Sequence, residues 1–450
     1  MVSITYYHGH TVGEKRHIKG GSLKKYSFVI RGIMGAVISA ALALPVASVA
    51  QAADPVSVPM VTSPALGSMP VFVAIAKGFD VDNGIKFTEN LFLTGPTIQA
   101  ALAAGTVKFT AADTNNWIPW SAATGPYTAI RQINSAPFFD IVLRKGFLAE
   151  KTAGKTDFAT VMAALKGSNI GIVAKGGASE FVWTQLVQGS GITWTGAVVG
   201  APSAALIEAG FTSKNIDAAI TYDPLLTQLV NKGAAEAAFS IRENDKGVPA
   251  VTQVPGLLLG ARSDLFATAE GRDLAKKVDK TFDTAITWMR NPKNFPALVE
   301  LTQTRLSLSN ADAIATWKRN LNYYSNVGAI NKAAIDAAGV WYAANQSALV
   351  KGKTYSSADL VFDVSAREVK ALKVGQTVTG VALAKFLGLE PKRLSKITLT
   401  TTTAKNCKVS TSRVTMTKAG SCSVLVSVKD VVDIQTASRY ARTFITVKNK

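Results

Sequence analysis

"NIGIVAKGGASEFVWTQLV", residues 169–187, runs from a short apolar strand pattern through a glycine pair into a helix pattern. A strand passing through a tight turn into a helix is the building unit of α/β proteins. Such a turn also exposes backbone N–H groups at a helix start, where negative or polar ligand atoms are held. Gly177 is not followed by the Lys-Ser/Thr pair that phosphate binding needs, so the turn is not a nucleotide P-loop. Taken alone, the turn is a strand-to-helix connection with glycines for tight packing. A functional role depends on what stands beside it.

Outward from this stretch the unit recurs. Toward the N-terminus, residues 55–62 alternate as a strand, a small-residue loop follows at Ser63–Ser68, and Pro70–Lys77 forms an apolar helix with Pro in its first turn. "VDNGIKFTENLFL" gives a turn and a strand, and "GPTIQAALAAGTVKFTAAD" a glycine-led helix and a strand ending near Asp113. "SAPFFDIVLRKG" reads as a strand over 135–146. Toward the C-terminus come a helix, a strand, the Tyr222-Asp223-Pro224 turn and a further helix, then the strand "PGLLLGARSDLF". Residues 271–350 carry helical spacing, clearest in "LAKKVDKTFDTAITWM". This alternation predicts parallel sheet with helices on both faces.

The chain of 450 residues is long enough for two or three domains. Its net charge of +19 is uneven: residues 1–52 carry +5, residues 364–450 carry +12, and the long middle only +2. That distribution argues against nucleic acid as a partner of the whole protein. Residues 23–53 have the parts of an export signal: Lys24, Lys25 and Arg31, an apolar run from Ile33 to Leu44, Pro45, and a small-x-small site at Ala50-Gln51-Ala52. Cleavage is expected after Ala52. No cysteine follows the apolar run, so no lipid anchor is expected, and the protein is placed outside the cytoplasm.

All three histidines (His8, His10 and His17) precede that cleavage site. The mature chain therefore lacks a Ser-His-Asp triad, a Cys-His dyad and any histidine-ligated metal site. This composition favours a binding protein over an enzyme, with no cofactor and no metal.

The segment order resembles the type 2 periplasmic-binding proteins of ABC importers, in the nitrate/sulfonate/taurine branch that includes thiamine-pyrimidine receptors. Four stretches carry the resemblance: "SMPVFVAIAKGFDVDNGIKF", "GPTIQAALAAGTVKFTAAD", "ALKGSNIGIVAKGGASEFV" and "ALIEAGFTSKNIDAAITYDP". It spans roughly residues 56–363. Lys108 replaces the family's usual Asp, Asp80 a usual Phe, and residues 209–214 are longer than the family's short link. The resemblance implies an α/β, two-lobed fold, and the tail beyond it reads separately as a small all-β domain. It implies lobe I from 56–137 and 247–350 and lobe II from 138–246, within a binding domain of 53–363 after a leader of 1–52. A small ligand would sit between the lobes, for delivery to an ABC permease. The second function considered is cell-surface adhesion or sensing with the same fold.

Ligands of open α/β sheets bind at the carboxyl ends of strands. Four loops occupy that position. The first holds Ser63, Gly67 and Ser68, with Ser68 a ligand donor or a helix cap. The second is Thr94-Gly95. The third is Asp113 to Trp117, where Asn115, Asn116 and Trp117 supply amides and an aromatic face; its other reading is a solvated turn with Trp117 in the core. From lobe II come Lys175, Gly176, Gly177, Ala178 and Ser179, and the turn of Tyr222 and Asp223, where Asp223 holds an ammonium group or caps the next helix. Glu180, Asp113 and Asp223 would repel a bare oxoanion, so an amino-sulfonate or a nitrogen-rich ring is as well suited as a sulfonate or nitrate.

Residues 366–450 change to threonine, valine, lysine and serine in short β-branched runs. They resemble the small immunoglobulin-like modules of exported bacterial surface proteins, with Cys407 and Cys422 as a disulfide. The positive charge there suits contact with anionic wall polymers.

Overall fold

A computed structural model describes residues 54–135, 137–243, 247–324, 328–362, 371–386, 397–401, 406–418, 421–429 and 440–449. The leader, its cleavage site and all three histidines lie outside the described residues. Residues from 53 onward form one compact unit. Its first part runs β1 (Val56–Thr62), α1 (Met69–Lys77), α2 (Phe79–Asp82), β2 (Ile85–Leu91), α3 (Gly95–Ala103), β3 (Phe109–Asp113), α4 (Thr114–Thr124) and β4 (Tyr127–Gln132). Next come β5 (Asp140–Arg144), α5 (Phe147–Thr152), α6 (Phe158–Ala164), β6 (Ile170–Ile172), α7 (Ala178–Ser190), β7 (Val198–Gly200), α8 (Ala204–Thr212), β8 (Ala218–Thr221), α9 (Leu225–Asn231) and β9 (Ala235–Glu236). The chain then returns through β10 (Leu257–Arg262) to α10 (Ala269–Arg290), α11 (Phe295–Leu306), α12 (Asn310–Asn320), α13 (Lys332–Asn345) and α14 (Ser357–Leu360).

These strands make two five-stranded sheets, ordered β2-β1-β3-β10-β4 and β7-β6-β8-β5-β9. Each mixes directions: β1 is parallel to β2 and β3, and β6 to β7 and β8, while β10 and β5 run antiparallel to their neighbours. The all-parallel expectation is corrected in this respect. The chain leaves the first sheet after β4, builds the second, and comes back as β10, so a strand inserted on return runs against its neighbours. The first sheet and its helices form one lobe, the second sheet and its helices another.

Local sequence explains the elements. Gly78, with φ +74°, stops α1 in a left-handed cap. Along α10, Leu274, Ala275, Val278, Phe282, Ala285, Ile286 and Met289 are buried at helical spacing. They face the core of the first lobe, where Phe282 meets Phe87 edge-on at 6.2 Å. The strand expected over 135–146 is confined to β5, because Phe138 and Phe139 lie in the crossing between sheets. The stretch after Asp113, expected as a loop, is the first turn of a helix. Asp113 caps it by accepting the Asn115 N–H at 2.8 Å.

The last part adds β11 (Ala371–Leu372), β12 (Thr377–Thr379), α15 (Gly380–Phe386), β13 (Ile397–Thr401), β14 (Cys407–Val409), β15 (Arg413–Met416), β16 (Ser421–Lys429) and β17 (Tyr440–Asn449). They form a four-stranded sheet, β11-β17-β16-β13, and a three-stranded one, β12-β15-β14. The Cys407–Cys422 disulfide joins β14 of the smaller sheet to β16 of the larger, inside a small core with Leu383, Leu399 and Val414. This strand-rich region also carries a helix, α15, which the strand pattern did not signal. Among the described residues, no helix is long and apolar enough to cross a membrane.

Candidate functional site

A cavity of about 90 Å³ lies among loops that follow strands of both sheets. The first lobe contributes Ser63, Gly67 and Ser68 after β1, Phe92 to Gly95 after β2, and Asp113 and Asn116 at the start of α4. The crossing contributes Phe138 and Phe139, and the second lobe Val173 and Tyr222. A single water needs roughly 10–15 Å³ of such space, so there is room for a small ligand of several heavy atoms.

Each wall is set by a local device. Ser68 accepts the Ser63 N–H at 2.8 Å, pinning its own turn and leaving α1 without a side-chain cap. Gly67 lies so close to Leu257 that a Cβ would stand 2.6 Å from its Cδ1. Tyr222 stacks on Phe138 with ring centres 4.9 Å apart and meets Phe139 edge-on at 5.7 Å. Asp113, only 2% exposed, has its carboxyl pushed up to about 7 by burial, against hydrogen bonds from Asn115 and the Phe138 backbone. The native state keeps this proton to higher pH than the unfolded chain. The protein with an empty cavity therefore loses stability as pH climbs from 3.8 to about 7.

Of the residues expected at the site, the structure brings Ser68, Thr94, Asn116 and Tyr222 to the cavity wall. Asn116 Oδ1 also accepts the Ala178 N–H at 3.1 Å, spanning from α4 in the first lobe to the start of α7 in the second. Asn115 is fully buried beside the cavity, where its Oδ1 accepts from Gln185 Nε2 at 2.9 Å. Gly176, Gly177, Ala178 and Ser179 do not line the cavity: Ala178 N–H is taken by Asn116, and the other polar groups of the turn are used within it. Gly176 N–H donates to Glu180 at 2.6 Å, Gly177 N–H to Ala174 O at 3.2 Å, and Ser179 Oγ accepts from Val173 at 3.1 Å.

Trp117 is a correction. It is 1% exposed, its indole N–H donates to the Ala112 carbonyl at 3.0 Å, and its ring packs edge-on against Trp120 and Tyr127. It is a core residue and presents no face to the cavity. Asp223 is also a correction as an ammonium-holding residue. Its carboxylate is taken up by Thr227, Asn320, Arg319 and Arg242. Sequence reasoning missed the aromatic wall of Phe92, Phe138 and Phe139. Two adjacent phenylalanines cannot both face one side of a strand, and that was the available signal.

Pro119 lies inside α4 and has no N–H for the carbonyl four residues back. The Tyr342 hydroxyl, from α13, donates there instead, 3.1 Å from Asn115 O and 3.2 Å from its Oδ1. Tyr342→Phe is expected to destabilise the protein by about 1–3 kcal/mol, the cost of an orphaned buried acceptor. Urea denaturation checks this, and an unchanged midpoint would mean that water reaches Asn115. Among the described residues, no group of His, Cys, Asp or Glu is arranged to hold a metal ion.

No family profile and no curated protein sequence matches the chain. Solved structures do. The alkanesulfonate-binding protein SsuA from Xanthomonas axonopodis pv. citri, bound to MOPS, is 18% identical, with a TM-score of 0.54 over 69% of this chain and all of that one. The periplasmic aliphatic sulphonate binding protein SsuA from Escherichia coli is 16% identical, with a TM-score of 0.53 over 68% of this chain and 97% of that one. The ligand-binding component of an ABC-type import system from Staphylococcus aureus, with zinc bound, is 13% identical, with a TM-score of 0.51 over 68% and 97%. At these identities the likeness is one of fold. The chain has the α/β two-lobed periplasmic-binding-protein fold, followed by a small strand-rich region.

Proposed function

We propose that the protein is the exported solute-binding subunit of an ABC importer. It captures a small ligand between its lobes and delivers it to a membrane permease, without catalysis. The observation that carries this reading is the cavity itself, walled by Ser68, Asp113 and Asn116 from one lobe and Val173 and Tyr222 from the other. A ligand there contacts both lobes at once, so its binding energy favours their closure. The lobes are assigned to 56–137 with 247–350, and to 138–246. The solved structures of the same fold include two sulfonate-binding proteins, which puts alkanesulfonates, taurine and nitrate on the panel beside heteroaromatic rings.

The test is a thermal-shift screen of the full chain with that panel and with amines. A ligand at 100 times its Kd is expected to stabilise the native state by about 2.7 kcal/mol, visible as a raised Tm. No shift with any compound would reject solute capture.

The C-terminal region is assigned as an immunoglobulin-like module that tethers the protein to anionic wall polymers. Residues 364–450 hold 16 Lys/Arg against 4 Asp/Glu, and a disulfide links the two sheets. Removing residues 366–450 should abolish salt-sensitive retention on cells, and unchanged retention would reject the tether.

A further inference from the structure

The charge of the cavity restricts the ligand further than the fold does. Among the described residues lining it, none is Lys, Arg or His, and the one ionisable acid is Asp113. Backbone donors do not make up the deficit. The start of α7 is spent on Asn116 Oδ1 and on Glu180, whose carboxylate lies 2.6 Å from Gly176 N. The start of α4 is spent on Asp113 itself. At the start of α3, Pro96 removes one N–H from the first turn. An oxoanion entering here would meet the Asp113 carboxyl, no cationic side chain and few free donors.

Asp113, in contrast, is underused. Its two oxygens offer about four acceptor positions. The backbone N–H groups of Asn115 and Phe138 and the Asn115 side chain take three of them, which leaves one for a ligand. Beside it stand Phe92, Phe138 and Tyr222, with Phe138 and Tyr222 stacked into one flat wall.

Resting on the solute-capture reading, we infer that the ligand is a small organic nitrogen cation, an amine or amidine on an apolar or planar body. Its charged N–H group pairs with Asp113, and its body lies against the Phe138–Tyr222 wall. The site thereby selects against the sulfonates that the fold otherwise suggests.

The titratable groups around Asp113 are few. Tyr342 faces it from α13, and its own ionisation is pushed well above the ordinary tyrosine value by burial and by Asp113. Tyr222 faces it from the second lobe and is likewise raised by burial. Glu180 stands on α7, next to the turn that Asn116 reaches. The next residue after Tyr222, Asp223, is held by Arg242 and Arg319. In the working range of pH 6–8, Asp113 is the group that changes charge, since it titrates at about 7. Below that pH a cation must displace the proton before it binds.

The experiment compares three ring compounds of similar size on the full chain by titration calorimetry: benzylamine, benzyl alcohol and benzenesulfonate. Benzylamine is expected to bind, more tightly at pH 8 than at pH 6, with about one proton released at pH 6 as read from buffers of different ionisation enthalpy. Benzenesulfonate is expected not to bind. Asp113→Asn, which keeps a helix-capping side chain, should weaken benzylamine at least tenfold. Proton release in the unaltered protein tests the inference even if that variant folds poorly. Binding of benzenesulfonate without benzylamine overturns the cation assignment and leaves solute capture intact. Binding of none of these, with no shift in the wider screen, overturns both.

Discussion

Asp223→Ala is expected to lower the unfolding free energy by about 3–5 kcal/mol, the typical cost of removing one partner from a buried ion pair. Asp223 is 1% exposed at the turn between β8 and α9. It accepts from Thr227 N at 3.0 Å and Thr227 Oγ1 at 2.6 Å within its own lobe. From α12 it accepts Asn320 Nδ2 at 2.7 Å and Arg319 Nε at 3.3 Å, and Arg242 Nη1 lies 3.4 Å away. Burial pushes this carboxyl up, but Arg319 and Arg242 outweigh it and hold it below the ordinary carboxylate value. Its contribution is therefore present above the unfolded value of 3.8 and is lost as pH falls through the lower folded value. Alanine leaves Arg242 charged and buried, whereas Arg319, with 39% of its side chain exposed, can turn to water. Urea denaturation at pH 7 measures the loss. A change under about 1 kcal/mol would show the cluster to be as weak as an exposed pair.

The second large effect is expected from Trp117→Ala, at about 3–5 kcal/mol. The ring fills the space between α4 and the first sheet. A Cβ on Gly260 of β10 would stand 2.9 Å from its far edge. Truncation removes the packing against Trp120 and Tyr127 and the indole N–H that donates to the Ala112 carbonyl. A lower Tm with unchanged affinity for a bound ligand fits a core residue. A loss of affinity at unchanged Tm would return Trp117 to the binding site.

The strand-turn-helix units were legible in the sequence because their signals are local. Apolar runs, glycine stops such as Gly78 and the periodic face of α10 each lie within a few residues. The partners that build the site are not local. Asp223 meets Asn320 across 97 positions, and Asn116 meets Ala178 across 62. Residue type alone did not separate Trp117, which packs inward, from Asn116, which faces the cavity one position earlier. The helix α4 was hidden by Pro119, a residue that reads as a stop, because its compensating donor lies far away on α13. The antiparallel entries of β5 and β10 were hidden because a strand pattern carries no direction.

That compensation also bears on how the chain reaches its fold during synthesis. The donor to Asn115 O lies 227 residues downstream. At 5–20 residues per second, about 11–45 seconds pass between the emergence of Asn115 and that of Tyr342. Through that interval the helix that supplies Asp113 and Asn116 has an open rung. Chains released before residue 342 are expected to carry the first sheet with an unfinished ligand wall. In chain order the last of the large helices thus supplies the hydrogen bond that closes the α4 wall of a site whose other parts precede it.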